Sequence, residues 1–150
     1  MTGAGEAAGE LVVRRRLPAP REAVFAAWLD PVSLAQWMCP GTVTNASVQV
    51  DPRVGGKFRI VMSHPQGAEE HWGEYLVIEP PARLSFTWIS AKTGFQTSVV
   101  TVELVAQGGG TELILTHRRL PAAEVDAHRG GWTDIVRKLG EALGRTQRSS

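Results

Sequence analysis

The stretch WTDIVRKLGEAL, residues 132–143, decides the fold of this chain. Its apolar residues recur at positions i, i+3, i+4, i+7 and i+11, so on a helix they form one stripe: Trp132, Ile135, Val136, Leu139 and Leu143. The charged residues of the stretch lie away from that stripe. Because an amphipathic helix must bury its apolar stripe, we predict that the preceding residues build a second apolar surface.

That surface is predicted from residue 42 onward, where the chain reads as consecutive β-strands joined by turns. The predicted strands lie at 42–51, 56–63, 70–79, 82–90, 95–106 and 111–119. The turns between them are rich in glycine and proline and are short. A parallel return needs about a dozen residues or more, so neighbouring strands must run antiparallel as a meander.

The inner face of the meander follows from the alternation of side chains along three of its strands. Every second residue on these strands belongs to a mainly apolar set that points to the same side of the sheet. The inward set is Phe58, Ile60, Met62, Leu84, Phe86, Trp88, Leu113, Leu115 and His117. This face is the large apolar surface against which the terminal helix can pack.

Ahead of the meander, the chain adds one strand and two short helices. Apolar residues alternate with arginines between residues 11 and 17, which is typical of a strand with one solvated side. Helical spacing follows at 23–29 and again at 32–38. The predicted fold class is therefore α+β, with a curved antiparallel sheet of about six or seven strands wrapped around a long C-terminal helix.

The chain length of 150 residues favours a single domain with one core. We place this domain at residues 10–146. Residues 1–9 lack periodicity and large side chains, so we predict a disordered tail there, and we predict a frayed tail at 147–150.

Composition excludes several classes of protein. The formal net charge is +1 without a concentrated basic stretch, which argues against a nucleic-acid partner, and no apolar run approaches the ~20 residues that span a bilayer. Cys39 is the single cysteine and the amino terminus lacks a secretory signal, so we expect a cytoplasmic protein. The usual nucleotide, hydrolase and metal motifs are absent, so we expect neither a cofactor nor a metal site.

Four motifs carry a resemblance to a known family. They are DPRVGGKFR at 51–59, GEYLVIEPPARLSFTW at 73–88, GTELILTH at 110–117 and HRGGW at 128–132. In this order they resemble the family named for activators of the ninety-kilodalton heat-shock protein ATPase, over residues 10–143. That family is part of the START-related (SRPBCC) superfamily, so the resemblance implies a helix-grip fold.

The resemblance also implies functions, which we carry over as expectations. Other superfamily members bind ligands between the sheet and the terminal helix, and some are cyclases, dehydratases or hydrolases. The eukaryotic co-chaperones of the family carry an additional amino-terminal domain that makes the principal chaperone contacts. This chain begins close to the first shared strand, so a chaperone or stress-response partner is only an alternative to ligand binding.

Gly130 and Gly131 have two interpretations. Each glycine in a helix interior costs about 1 kcal/mol relative to alanine, so a glycine pair inside the helix needs a compensating role. One interpretation is that the helix begins near Trp132 and the pair forms a loop or junction. The other is that the missing side chains leave a cavity under the sheet.

The predicted function is the binding of a small hydrophobic or aromatic molecule in that cavity. We expect the walls to be aromatic and flexible apolar side chains, with histidines orienting a polar group of the ligand. The candidate ligand-binding residues are Trp37, Met38, Phe58, Met62, His71, Trp72, Phe86, Trp88, His117, Gly131 and Trp132. The alternative, that the aromatic residues are ordinary core, stays open.

An enzyme would need an acid or a base in the same cavity, and the candidates are His117 and Glu74. The sequence leaves open whether Glu74 or Tyr75 faces inward, because the register of this strand is undetermined. His64 and His128 are expected at the surface. The chain is expected to be a monomer or a weak homodimer formed through an exposed strand edge.

Overall fold

The computed structural model describes residues 9–149, with side chains described through residue 145. These residues form β1 (Gly9–Leu17), α1 (Arg21–Ala27), α2 (Pro31–Trp37), β2 (Asn45–Val50), β3 (Lys57–His64), β4 (Gly67–Glu79), β5 (Arg83–Ser90), β6 (Ser98–Gln107), β7 (Gly110–Leu120) and α3 (Val125–Ser149). Short 3₁₀ turns occupy Ala91–Thr93 and Ala122–Glu124. The predicted tail at 1–9 lies outside the described residues except for Gly9, as does Ser150 of the predicted frayed end.

The sheet has seven strands in the order β1-β7-β6-β5-β4-β3-β2, and every neighbouring pair is antiparallel. The consecutive strands β2 to β7 form the predicted meander, and β1 adds to its far edge beside β7. The terminal helix α3 has 25 residues and packs against β1 and α2. The predicted helix-grip architecture is confirmed. Within the described residues, no helix combines the length and apolarity needed to cross a membrane.

Burial on the two packed surfaces follows the predicted pattern. All nine side chains of the predicted inward set are at most 6% exposed, and the apolar stripe of α3 is buried against them. Burying one such apolar side chain contributes about 1.5–3 kcal/mol. The amphipathic helix and the alternating strands therefore stabilise each other, as the sequence pattern requires.

Strand β4 shows how the register of this part of the sheet is fixed. A Cβ at Gly73 would lie 2.0 Å from the carbonyl oxygen of Thr87 and 2.2 Å from the ring of Phe58, so only glycine fits there. Gly73 thus lies on the inner face, and Tyr75, two residues on, is 3% exposed. The open alternative is resolved: Tyr75 faces the core, whereas Glu74 is exposed on the outer face.

The terminal helix begins at Val125, upstream of the glycine pair. Gly130 and Gly131 are therefore inside the helix, and the interpretation of the pair as a loop or junction is wrong. The short 3₁₀ turn after β7 leads directly into α3. Extending the helix in this way brings its first turns over the ends of β3 and β4.

Candidate functional site

An open cleft with a volume of about 1110 Å³ lies where the first turns of α3 face the ends of β3 and β4. Residues 40–43, between α2 and β2, form a further wall. The lining is mainly apolar, and charged and polar side chains surround it. The cleft occupies the space between sheet and terminal helix in which the sequence predicts a cavity.

Aromatic rings form the floor of the cleft. The centroids of the Trp88 ring on β5 and the Trp132 ring on α3 are 5.0 Å apart, and the His71 ring lies 4.8 Å from Trp88. All three side chains are more than nine-tenths buried, so only a small part of each borders the open space. Such a floor suits a ligand with an aromatic or apolar body.

His71 adds an unused polar group to this floor. Among the described residues, none forms a hydrogen bond with its Nδ1, although that atom is buried. Burial lowers the pKa of His71, and the nearby Glu69 carboxylate opposes the shift without cancelling it. His71 is therefore a neutral ring at neutral pH, with an unpaired nitrogen buried at the base of the cleft.

The glycine pair borders the cleft on the α3 side. A Cβ added at Gly130 would meet no heavy atom within 4 Å, and one added at Gly131 would meet only Pro40 Cβ at 3.9 Å. No close approach of neighbouring atoms therefore requires glycine here. The pair costs the helix about 2 kcal/mol relative to two alanines, and what it preserves is empty space.

Replacing Gly130 by alanine should therefore stabilise the protein by up to about 1 kcal/mol, or about 2 to 4 °C in Tm. Gly140→Ala on the same helix is a matched control outside the cleft, because its Cβ would be in ordinary contact with Arg15 and Leu17 at 3.4 Å and should gain a similar amount. Thermal unfolding followed by circular dichroism tests both variants. An unchanged or lower Tm for Gly130→Ala would mean that the glycine has a conformational role.

His117 lies behind the floor and is fully buried. Its Nδ1 is 2.9 Å from Trp132 Nε1. An indole N–H can only donate, so Nδ1 must accept and the proton of the neutral ring must sit on Nε2. That Nε2–H donates to the Ser98 hydroxyl oxygen at 2.8 Å, and the hydroxyl donates to the Trp88 carbonyl oxygen at 2.6 Å.

This chain of hydrogen bonds corrects the expected role of His117. Burial lowers the pKa of His117 to about 3, and repulsion from His128 acts in the same direction. The ring is uncharged at neutral pH, and both of its nitrogens are engaged inside the protein. His117 has no free lone pair for a substrate or ligand; it holds the indole of Trp132 in place in the cleft floor.

Polar contacts join the wall at residues 40–43 to α3. The Gly41 N–H donates to Asp134 Oδ2 at 2.7 Å, and Lys138 Nζ donates to the Cys39 carbonyl oxygen. Burial would raise the pKa of Asp134, but the bond from Gly41 and the neighbouring Arg137 and Lys138 lower it overall. The resulting carboxylate ties the wall to the helix that forms the opposite side of the cleft.

The structure brings together only some of the predicted ligand-binding residues. Those that border the cleft are Met62, His71, Trp88, Gly131 and Trp132. Met38, Phe58 and Phe86 line a separate small space of about 20 Å³, which is room for about one water. Trp37 is fully packed 4.8 Å from Trp28, and its Nε1 donates to Ser33 Oγ. The aromatic residues of the deep core are therefore ordinary core, and the open space lies above them.

Two candidates lie on the wrong face of the sheet. Trp72 alternates with the inward residues of β4 and faces outward, where its ring lies 6.3 Å from that of Phe95. Glu74 follows on the same outer face. Neither can contact a ligand in the cleft, because the inward register of β4 is set by His71, Gly73 and Tyr75.

The cleft also contains residues that sequence reasoning assigned to the surface. His64 and His128 both line it, with side chains only 18% and 12% exposed. A signal was present for each: His64 has the strand parity of inward Met62, and His128 precedes Trp132 by one helical turn. The spacing of His128 and Trp132 places them on one face only if the helix continues through Gly130 and Gly131.

Comparison with known proteins agrees with this fold. The family model described as "Activator of Hsp90 ATPase homolog 1-like protein" matches residues 18–144. The chain belongs to this family. The resemblance noted in the sequence is thereby confirmed. The match covers α1, α2 and six of the strands in full, and α3 as far as residue 144. Among curated proteins, none matches the chain.

Solved structures of similar proteins come from several bacteria. Protein CV1439 from Chromobacterium violaceum is 26% identical, with a TM-score of 0.79 over 89% of this chain and 95% of that one. The AHSA1 protein SPO3351 from Silicibacter pomeroyi is 29% identical, with a TM-score of 0.77 over 92% and 99%. CalU16 from Micromonospora echinospora is 28% identical, with a TM-score of 0.69 over 89% and 75%. Family membership fixes the architecture and leaves the ligand to be argued from the cleft.

Proposed function

We propose that this protein binds a small molecule with an aromatic or apolar body in the cleft between α3 and the sheet. The observation that carries the proposal is the glycine pair. It keeps open the space above the Trp88 and Trp132 rings, although each glycine lowers the stability of the helix. Ligand clefts occupy roughly 300–1,000 Å³ and are mostly apolar with a few polar groups. A cleft of about 1110 Å³ has room for one such ligand.

We favour ligand binding without catalysis over the enzymatic alternative predicted from the sequence. That alternative depended on His117 or Glu74. His117 is used up in internal hydrogen bonds, and Glu74 faces solvent on the other side of the sheet. A chaperone partner, a homodimer and a cytoplasmic location stay predictions.

The first test uses N-phenyl-1-naphthylamine, a neutral apolar fluorescent probe. Trp72→Phe serves as the parent protein, because this substitution removes the outward-facing indole and leaves Trp88 and Trp132 as the donors nearest the cleft. We expect saturable energy transfer from tryptophan to one equivalent of probe. Gly131→Leu in the same background should weaken probe binding at least tenfold, because its side chain would enter the cleft beside the aromatic floor.

Two variants control for the effects of the leucine itself. Gly131→Ala improves the helix but adds a single carbon, so it should retain binding. Glu141→Leu adds an apolar side chain to an exposed position of α3 outside the cleft, so it should also retain binding. A folded Gly131→Leu protein that binds the probe like the parent would refute the cleft as the binding site.

A further inference from the structure

The imidazole of His128 is held in one tautomer. Its Nδ1 lies 2.9 Å from the backbone carbonyl oxygen of Glu124. A carbonyl oxygen can only accept, so the contact is a hydrogen bond only if Nδ1 carries the proton. The carboxylate oxygen Oε1 of Glu124 lies 3.6 Å from the same nitrogen, which reinforces that choice. The lone pair of the neutral ring is therefore on Nε2.

Nε2 of His128 is the nitrogen left open to the cleft. His128 lines the cleft, and no described residue forms a hydrogen bond with its Nε2. This nitrogen is not among the buried atoms without a partner, so it is accessible. The ring is flanked by His117 at 5.3 Å in an edge-to-face arrangement, and Trp132 follows one helical turn later. An acceptor atom therefore borders the aromatic floor.

His64 also lines the cleft, but it presents a hydrogen-bond donor where His128 presents an acceptor. His64 Nδ1 accepts the backbone N–H of Gln66 at 3.2 Å, so the proton of its neutral ring lies on Nε2. That Nε2 is 3.7 Å from Glu69 Oε2, toward which it can donate. His64 thus offers the cleft a donor that is already directed to a carboxylate, whereas His128 offers a free acceptor.

We propose that the cleft selects ligands whose aromatic body carries a hydroxyl, a phenol or an enol, and that the hydroxyl donates to His128 Nε2. This inference rests on the proposed function and specifies the ligand class. The body of the ligand contacts the Trp88 and Trp132 floor, and the O–H reaches His128 Nε2, an acceptor that forms no hydrogen bond with any described residue. The backbone carbonyl of Glu124 positions His128, because it fixes the tautomer of the ring.

The test compares 2-naphthol with 2-fluoronaphthalene, two probes of nearly equal size, of which only the first can donate. Isothermal titration calorimetry on the full chain should give 2-naphthol an affinity about five- to tenfold higher, the value of one net hydrogen bond. In His128→Phe, which keeps a ring and removes the acceptor, this ratio should fall to about one. His128→Gln is a second variant if the first fails to fold, and its amide oxygen should restore part of the preference.

Trp72→Phe is the control, because it changes a ring on the outer face of the sheet and should leave the preference intact. Equal affinity of the wild type for both naphthalenes would overturn the hydroxyl assignment while leaving binding in the cleft supported. A preference that survives in His128→Phe would overturn the role of His128. Failure of the wild type to bind either compound would count against the proposed function itself.

Discussion

Replacing His117 by alanine is expected to lower the free energy of unfolding by about 3 kcal/mol or more, because two costs add. The substitution removes a fully buried ring and leaves a cavity. It also leaves the Trp132 Nε1–H buried without its acceptor, which alone costs about 1–3 kcal/mol. Domains of this size are stable by only about 5–15 kcal/mol, so this loss is a large fraction of the total.

Urea denaturation followed by circular dichroism measures this loss. His64→Ala is the control, because His64 is less buried than His117 and accepts one hydrogen bond, from the Gln66 N–H, so it should cost only about 1 kcal/mol. In the His117 variant, the Trp132 indole should also lose its fixed position, so probe binding should weaken as well. A His117→Ala protein as stable as the His64→Ala control would show that the hydrogen-bond chain contributes little.

Stability should also decrease with acid in a way that depends on His117. Its pKa is about 3 in the folded protein and about 6.5 in the unfolded chain. Between these two pKa values, the His117 ring is therefore protonated in the unfolded chain and neutral in the folded protein. The contribution of His117 to the free energy of unfolding is complete above pH 6.5. It is lost as the pH falls toward 3, by about 1.4 kcal/mol per pH unit.

Urea denaturation at pH 7, 6 and 5 tests this dependence. Burial lowers the pKa of His71 as well, so the wild type should lose stability through both groups below pH 6.5. His117→Gln removes one titrating group. The free energy of unfolding of this variant should therefore fall less steeply with acid, by up to about 1.4 kcal/mol per pH unit. Parallel pH profiles for wild type and variant would mean that His117 does not resist protonation.

Much of the fold was predictable because it depends on local patterns. Alternation placed Phe58, Phe86 and Leu115 on the inner face, and the short turns required antiparallel strands. The start of α3 was harder to predict, because two adjacent glycines argue against helix by propensity. Contacts elsewhere in the protein stabilise the helix through that pair, so tertiary packing overrode a local preference of about 2 kcal/mol.

The site was less predictable than the fold. Met62, Trp88 and Trp132 were identified because they lie on predicted inward faces. Trp72 was assigned to the wrong face, because nothing in the sequence of β4 alone fixes which half of its residues faces inward. The steric demand that fixes it comes from Phe58 on a different strand, which covers Gly73.

By itself, the sequence determined the α+β class, the meander and the amphipathic helix that the sheet must cover, since each follows from the spacing of apolar residues along one segment. Only the tertiary structure decided which histidines are available to a ligand. His117 and His128 both lie near Trp132 in the fold, but Nδ1 of His117 accepts the indole N–H, whereas Nε2 of His128 bonds no described residue and is open to the cleft. That difference depends on partners distant in the chain for His117, and on the helical turn from Glu124 to His128 for the other ring, and neither is visible in a linear pattern.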